Sequence, residues 1–296
     1  ALEADLAAMA GDAPIEITDL SVDERALSAP PAAPSVRWAP REMPAPVPSG
    51  WRVVSYSALK RGAAAAPADE ELPDHDPEPA ATTGTTASPE AGRDSVFTFP
   101  RGVRAGTALH AILERIDFAA ADFTPMAAEL LARYGLAGGS GMNWAPAVSR
   151  WLRQVMAAPL ADGLKLEGVV PSDRISELEF WLPLRLVTPA DLAMLAGDGE
   201  SSTFGAVSGY LKGYIDLVFR HGGRYWLLDW KSNYLGGRTE DYAPERLADA
   251  MRAHRYDLQL NLYVLALHRY LERSLPGYDY DSHFGGAFYL FLRGMD

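Results

Sequence analysis

The sequence contains no cysteine, which excludes disulfides and thiolate metal sites and fits a reducing compartment. It also has no run of about 18 apolar residues, so no membrane-spanning helix is expected. The first residues, ALEADLAAMAGDA, lack the basic region and long apolar stretch of a signal peptide. A cytoplasmic protein with no membrane partner is the reading that follows. There is no initiator methionine, and the last residues, FLRGMD, come directly off a strand-like run. A piece of a longer chain is therefore expected. Aromatic residues are missing from 62–95, where Leu72 is the one aliphatic apart from alanine. Such a segment cannot bury enough surface to offset the entropy of ordering it, so 61–95 reads as an acidic flexible linker.

Basic residues are scarce too. The net charge is −12, which at first argues against a nucleic-acid partner. The distribution weakens that argument. Residues 62–95 hold eight acids against Arg93, so they carry −7 and leave −5 for everything else. A metal site also needs carboxylates, and these make a metal-free sequence look more acidic than the working protein.

What remains, 296 residues with 48% hydrophobic, can build one large domain plus extensions. Residues 1–60 read as a short helix (LEADLAAMA), a strand (PIEITDL), an extended Pro-rich arm and then WRVVSYSALK, a strand running into a helix capped by Ser55 or Ser57. From Val96 to the end the pattern is that of one compact domain. Leu109, Ile112, Leu113 and Ile116 mark an amphipathic helix with Thr107 as its expected N-cap. Further helices are expected at about 124–135, 144–157, 243–253 and 255–273, with a short one in TPADLAMLA. Strands are expected at 175–187 and in GGAFYLFLR. Strands mixed with flanking helices predict an α/β fold, a mixed central sheet covered on both faces.

The most informative stretch is YLKGYIDLVFRHGGRYWLLDWKSN (210–233). Two apolar, aromatic-rich runs meet at Gly222-Gly223, a strong hairpin signal. That register sets His221 against Arg224 and, further out, Asp216 against Asp229, with Lys231 on the same face as Asp229. Like charges set opposite each other repel, so a cation is expected between them. Mg²⁺ suits two carboxylates, with Mn²⁺ or Ca²⁺ as substitutes. The plain alternative is a pair of surface acids with Lys231 as salt-bridge partner, but Asp229 is embedded in WLLDWKS, and a buried acid needs a partner. His110 is either a packed side chain or a ligand. Glu114, four residues on, is a second ligand, an orienting partner for the imidazole or a salt-bridge acid. Gln259 and Tyr263 flank a stripe of Leu258, Leu262 and Leu265 and read as helix-surface polars or as part of a site. Glu177 and Glu179 read as sheet-face charges, one of which could assist. Lys212, Arg238, His254 and Arg255 are candidate phosphate contacts.

In order along the chain, GTALHAILE, GYIDLVF, LLDWKSN and YDLQLNLYVLALHRYL resemble the C-terminal nuclease domains of the RecB family, a branch of the PD-(D/E)xK superfamily. The similarity covers roughly 96–296 and, more loosely, WRVVSYSALK, which resembles the end of a helicase portion. The resemblance implies a PD-(D/E)xK nuclease core at 96–296, with residues 1–60 as the end of the helicase portion and an arm. It implies His110, Asp216 and Asp229 as metal ligands, joined by the backbone carbonyl of Trp230. Lys231 would be the catalytic lysine, with Gln259 and Tyr263 in the helix motif that follows it. It further implies Mg²⁺-dependent cleavage of DNA ends and single strands. The implied partners are the RecB helicase portion, RecC and RecD, with RecA docking. The other reading is a non-catalytic docking module for RecA or the helicase subunits. A metal-dependent hydrolase of some other substrate fits the spacing but not the long motifs.

Overall fold

The computed structural model describes residues 51–61, 95–138, 142–188 and 207–295, with 190, 191 and 194 between the last two. The helix, strand and arm expected before Trp51 and nearly all of the 61–95 linker lie outside these residues, as does most of TPADLAMLA. All described residues belong to one compact unit, 48–296.

A five-stranded mixed sheet organises this unit. Its strands are β1 (Trp51–Ser55), β2 (Arg174–Val187), β3 (Val207–His221), β4 (Arg224–Lys231) and β5 (Phe284–Phe291). The longest, β3, pairs antiparallel with β2 from Arg174↔Phe219 to Val187↔Val207. Its other edge takes two partners in succession. The first is β1, parallel, from Trp51↔Ser208 to Ser55↔Lys212. The second is β4, antiparallel, from Leu217↔Leu228 to His221↔Arg224. Between them β4 leaves β3 and continues alongside β5, in parallel, through Asp229↔Tyr289 and Lys231↔Phe291. A fork therefore opens beside residues 213–216.

The hairpin turns at Gly222 (φ 60°) and Gly223 (φ 78°), the two left-handed positions that a type I′ turn requires. Its register matches the expectation from His221↔Arg224 to Leu217↔Leu228, but the pairing expected to run on to Asp216 and Asp229 stops there. The helices are α1 (Tyr56–Arg61), α2 (Val103–Arg115), α3 (Thr124–Arg133), α4 (Trp144–Ala157), α5 (Pro244–Ala253), α6 (Tyr256–Ser274) and the single turn α7 (Tyr280–His283). Ser55 caps α1, its hydroxyl accepting the Ala58 amide at 3.2 Å.

Three expectations change. Trp51–Lys60, grouped by sequence with the part before the linker, contributes a strand and a helix to the same sheet and core as the rest. The Tyr56 hydroxyl donates to the Arg255 carbonyl at 2.6 Å, which ties α1 to the start of α6. Thr107 is not a cap: α2 begins a turn earlier, after Gly102, and the Thr107 hydroxyl bonds back to the Val103 carbonyl. The Pro-Arg-Gly break sets that start at Val103, well over one turn before Leu109, the first apolar residue of the periodic stripe. Leu265 is 38% exposed, whereas Gln259 and Tyr263 are 2% exposed. The buried face of α6 is thus rotated toward the two polar residues.

The first face of the sheet packs on α2 and α4, where Leu109, Ile112, Val148 and Trp151 meet Leu217, Phe219, Leu228 and Trp230. The second face packs on α1 and α6, where Tyr56, Leu59, Leu262 and Leu267 meet Leu211, Ile215, Val218 and Leu227. Alternation in a flat strand would put Ile215 and Leu217 on one face. They lie on opposite faces, so β3 turns over at Asp216. Directly across, β2 turns over at Glu177, a non-glycine residue at φ 52°.

Arg293 pins the segment before α2 to the end of β5. It is 1% exposed and donates to the carbonyls of Val96, Phe99, Pro100 and Ser232. Replacing it with Met leaves those acceptors unpaired in the interior, at about 3 kcal/mol or more. Arg293→Met is expected to lower the urea midpoint accordingly, with Arg293→Lys recovering part of the loss. A change below about 0.5 kcal/mol would contradict this role.

Candidate metal centre

The apolar stripe that buries Leu109, Ile112 and Leu113 in the core also carries His110 inward, leaving it 8% exposed. Its Nδ1 lies 3.5 Å from Asp216 Oδ1. The other Asp216 oxygen accepts the Trp230 amide at 2.7 Å. This bond spans the mouth of the fork, from one residue past the last paired position of β3 to two residues past that of β4. Glu177 sits across from Asp216 on β2. Donor atoms of His110, Glu177 and Asp216 all lie within 4.8 Å of one another. Among the described residues, this is the group of histidine and acid side chains drawn together tightly enough to hold an ion.

The electrostatics fit a cation there. Burial pushes the Glu177 carboxyl up to about 7, and the charge of Asp216 adds to it, while His110 opposes. Burial lowers the His110 imidazole, but Asp216, Asp229 and Glu177 outweigh it and raise the group above its ordinary 6.5. Burial also works to raise Asp216, yet His110, the Trp230 amide and Lys231 hold it below 3.8. Two crowded carboxylates and an imidazole form a hard, oxygen-rich donor set of the kind that takes Mg²⁺ or Mn²⁺.

Beside this group lies a buried ion pair. Asp229 is 3% exposed and Lys231 2%, and Lys231 Nζ stands 2.8 Å from Asp229 Oδ2. Lys231 also donates to Gln259 Oε1 at 2.9 Å, and Gln259 Nε2 donates to the Tyr263 hydroxyl at 3.0 Å. The Tyr256 ring lies under the ammonium, 3.8 Å from Nζ to the centroid, with Tyr289 at 5.3 Å.

The sequence placed one cation between Asp216 and Asp229. The structure gives Asp229 a counter-ion in Lys231 and brings Glu177 into the group that could hold an ion. Asp229 stays close enough for its charge to raise His110. Of the two readings open for Gln259 and Tyr263, burial favours the site: both are interior, Gln259 bonded to Lys231 and Tyr263 to Gln259. Glu114 is exposed on α2 and reaches the site through its field on Glu177. Trp230 touches the group through its amide. Of the candidate phosphate contacts, His254 stacks on Tyr256, the ring beneath Lys231. Tyr256 and Tyr289 carry no sequence signal beyond their type. The position of Glu177 could have been found only by pairing β2 with β3.

Both Glu177 and His110 have pKa values raised by folding. Each contributes stability that is present below its unfolded value and lost as pH rises through its folded one. For Glu177 that window runs from 4.5 to about 7. Without metal, melting temperature should therefore fall across it. Glu177→Gln is expected to flatten this fall, to raise the melting temperature at about pH 8, and to weaken the upward shift produced by added Mn²⁺. An unchanged slope and an unchanged Mn²⁺ shift would remove Glu177 from the site.

Residues 90–295 match the PD-(D/E)XK nuclease superfamily. Among curated proteins, the chain is 40% identical over 256 residues to the RecBCD enzyme subunit RecB of Escherichia coli, covering 83% of this chain and 21% of that protein. It is 37% identical to RecB of Haemophilus influenzae, over 72% of this chain and 18% of the relative. Against RecB of Mycobacterium tuberculosis the identity is 33%, over 86% and 28%. The chain thus spans between 18% and 28% of the length of these relatives.

Proposed function

The chain belongs to the PD-(D/E)XK nuclease superfamily, and on that premise we propose that it is the Mg²⁺-dependent nuclease of a RecBCD-type helicase–nuclease, hydrolysing DNA single strands and ends during recombinational repair of double-strand breaks. The observation that carries this reading is the meeting of His110, Glu177 and Asp216 beside the buried Asp229–Lys231 pair. The partners are the helicase portion of a RecB-type subunit, RecC and RecD, with RecA as a further docking partner. A cytoplasmic setting accords with this, and no helix among the described residues is long and apolar enough to cross a membrane.

His110, Glu177 and Asp216 would hold the ion, with the Trp230 carbonyl and Asp229 completing its surroundings. A divalent cation there supplies Lewis-acid polarisation of a phosphoryl oxygen and a water of lowered pKa. The protein's own groups do the rest. Asp216 fixes the imidazole of His110 and is itself fixed by the Trp230 amide. Asp229, Gln259 and the Tyr256 ring hold Lys231 in one place. A preorganised ammonium of this kind orients the attacking water and stabilises negative charge as it develops on the phosphate.

Lys231→Ala is a poor test, because it strips a 3%-exposed carboxylate of its counter-ion, a change that destabilises a fold by about 3–5 kcal/mol. Asp216→Asn keeps the shape. It is expected to lower Mg²⁺-dependent cleavage of single-stranded DNA by about 10²-fold or more while circular dichroism stays that of the parent. Cleavage at the parental rate would overturn the site. Parental protein that binds RecA or the helicase subunits but cuts no DNA with Mg²⁺ would favour the docking-module reading.

A further inference from the structure

The first face of the sheet is covered by α2 and α4 over its β4 half. Over the β1 half, three large rings are exposed: Trp51 at 63%, Trp181 at 48% and Tyr210 at 37%. They form a row. Trp51 meets Tyr210 edge-on with centroids 5.6 Å apart, and Tyr210 meets Trp181 edge-on at 6.1 Å. Lys212 closes the row toward the fork, its Nζ 5.3 Å from the centroids of both Trp181 and Tyr214. Glu179 holds this end in place. Its Oε1 accepts the Trp181 indole N–H at 2.7 Å and lies 3.9 Å from Lys212 Nζ. Past the β2 edge, a cavity of 400 Å³ runs from Trp181 and Tyr210 to Arg269 and Arg273 on α6, both exposed.

The row leads to the metal centre. Tyr214, Lys212 and Tyr210 lie two, four and six residues before Asp216 on β3. They share the face opposite Leu211 and Ile215, the face from which His110 approaches. At about 3.3 Å per residue, Tyr214 is about 7 Å and Tyr210 about 20 Å from Asp216. Solvent-exposed rings interleaved with cations are the surface that single-stranded nucleic acid uses. Each base offers a π-face regardless of sequence, and the backbone follows positive charge.

We propose that the Trp51–Tyr210–Trp181 row is a track for single-stranded DNA, on which bases stack as the strand runs along β3 into the metal centre, with Lys212, Arg269 and Arg273 meeting its phosphates. This rests on the nuclease reading for the direction of the strand, but the track binds whether or not the chain cuts. It also reconciles a chain of net charge −12 with a polyanionic ligand, since the contacts are aromatic and the cations are local.

Fluorescence anisotropy of oligothymidylates of increasing length, without divalent metal, tests the track on the whole chain. Affinity is expected to rise with length over the first few nucleotides. Trp181→Ala and Tyr210→Ala should each weaken binding by about 5- to 100-fold and leave the salt slope as it was. Arg269→Gln with Arg273→Gln should reduce that slope by roughly 1.4. With Mg²⁺, the ring variants should raise KM for single-stranded DNA while hydrolysis of bis(4-nitrophenyl) phosphate stays unchanged. Unaltered affinity in the ring variants would overturn the track. So would intact DNA binding combined with lost association with the helicase subunits, which would make the row a protein interface. A parental chain that hydrolyses neither substrate but still loses oligothymidylate binding in the ring variants would sink the nuclease reading and leave the track standing.

Discussion

A single hydrogen bond across the strand fork shapes the site. The Trp230 amide would lie at the open edge of β4, beyond the point where that strand separates from β3. Asp216 accepts it at 2.7 Å. The carboxylate thereby substitutes for a strand partner, and the fork is held at the width of one side chain. Because Asp216 is committed on one oxygen, its other oxygen faces His110 and Glu177. Because β4 is turned away, Asp229 and Lys231 sit over α6, where Gln259, Tyr256 and Tyr263 receive them. The inversion of faces at Asp216 and Glu177 is the backbone counterpart of the same constraint. A non-glycine residue at φ 52° is strained, and such strain is retained where the surrounding structure and the chemistry demand it.

Charge in this interior is distributed by pairing. Asp229 has Lys231, while Asp216 has an imidazole and an amide. Glu177 has only partial compensation, which is why burial drives its carboxyl up to about 7. A protein selected for stability alone would place a neutral residue there. The acid makes sense when a dication completes the group, supplying the charge that the protein withholds. The exposed rings on the β1 half of the same face follow similar logic on the proposed function: apolar surface is left open beside a site whose proposed substrate offers flat bases to cover it.

How far this was legible in the sequence depends on the range of each interaction. The hairpin was readable because Gly222 and Gly223 dictate its turn, and the turn dictates the register that sets Asp216 and Asp229 one step beyond the last pair. That Lys231 shares a face with Asp229 followed from alternation alone. Glu177 was readable only as one of two sheet-face acids that could assist, since its place opposite Asp216 depends on the pairing of β2 with β3, which no local signal encodes. Gln259 and Tyr263 stayed open between the surface and the site because the leucine stripe of α6 suggested a face that Leu265 does not join. The membership of Trp51–Ser55 in the sheet was hidden by the acidic segment that separates it in sequence from everything it packs on. The motif resemblance supplied the chemistry of the lysine and the acids, whereas the counter-ion arrangement needed coordinates.

The most direct test is a crystal grown with Mn²⁺ and measured at the manganese absorption edge. The account predicts an anomalous peak bounded by His110, Glu177 and Asp216, with Lys231 still paired to Asp229. A peak elsewhere, or none, or Glu177 turned away to the opposite face of the sheet, would contradict it.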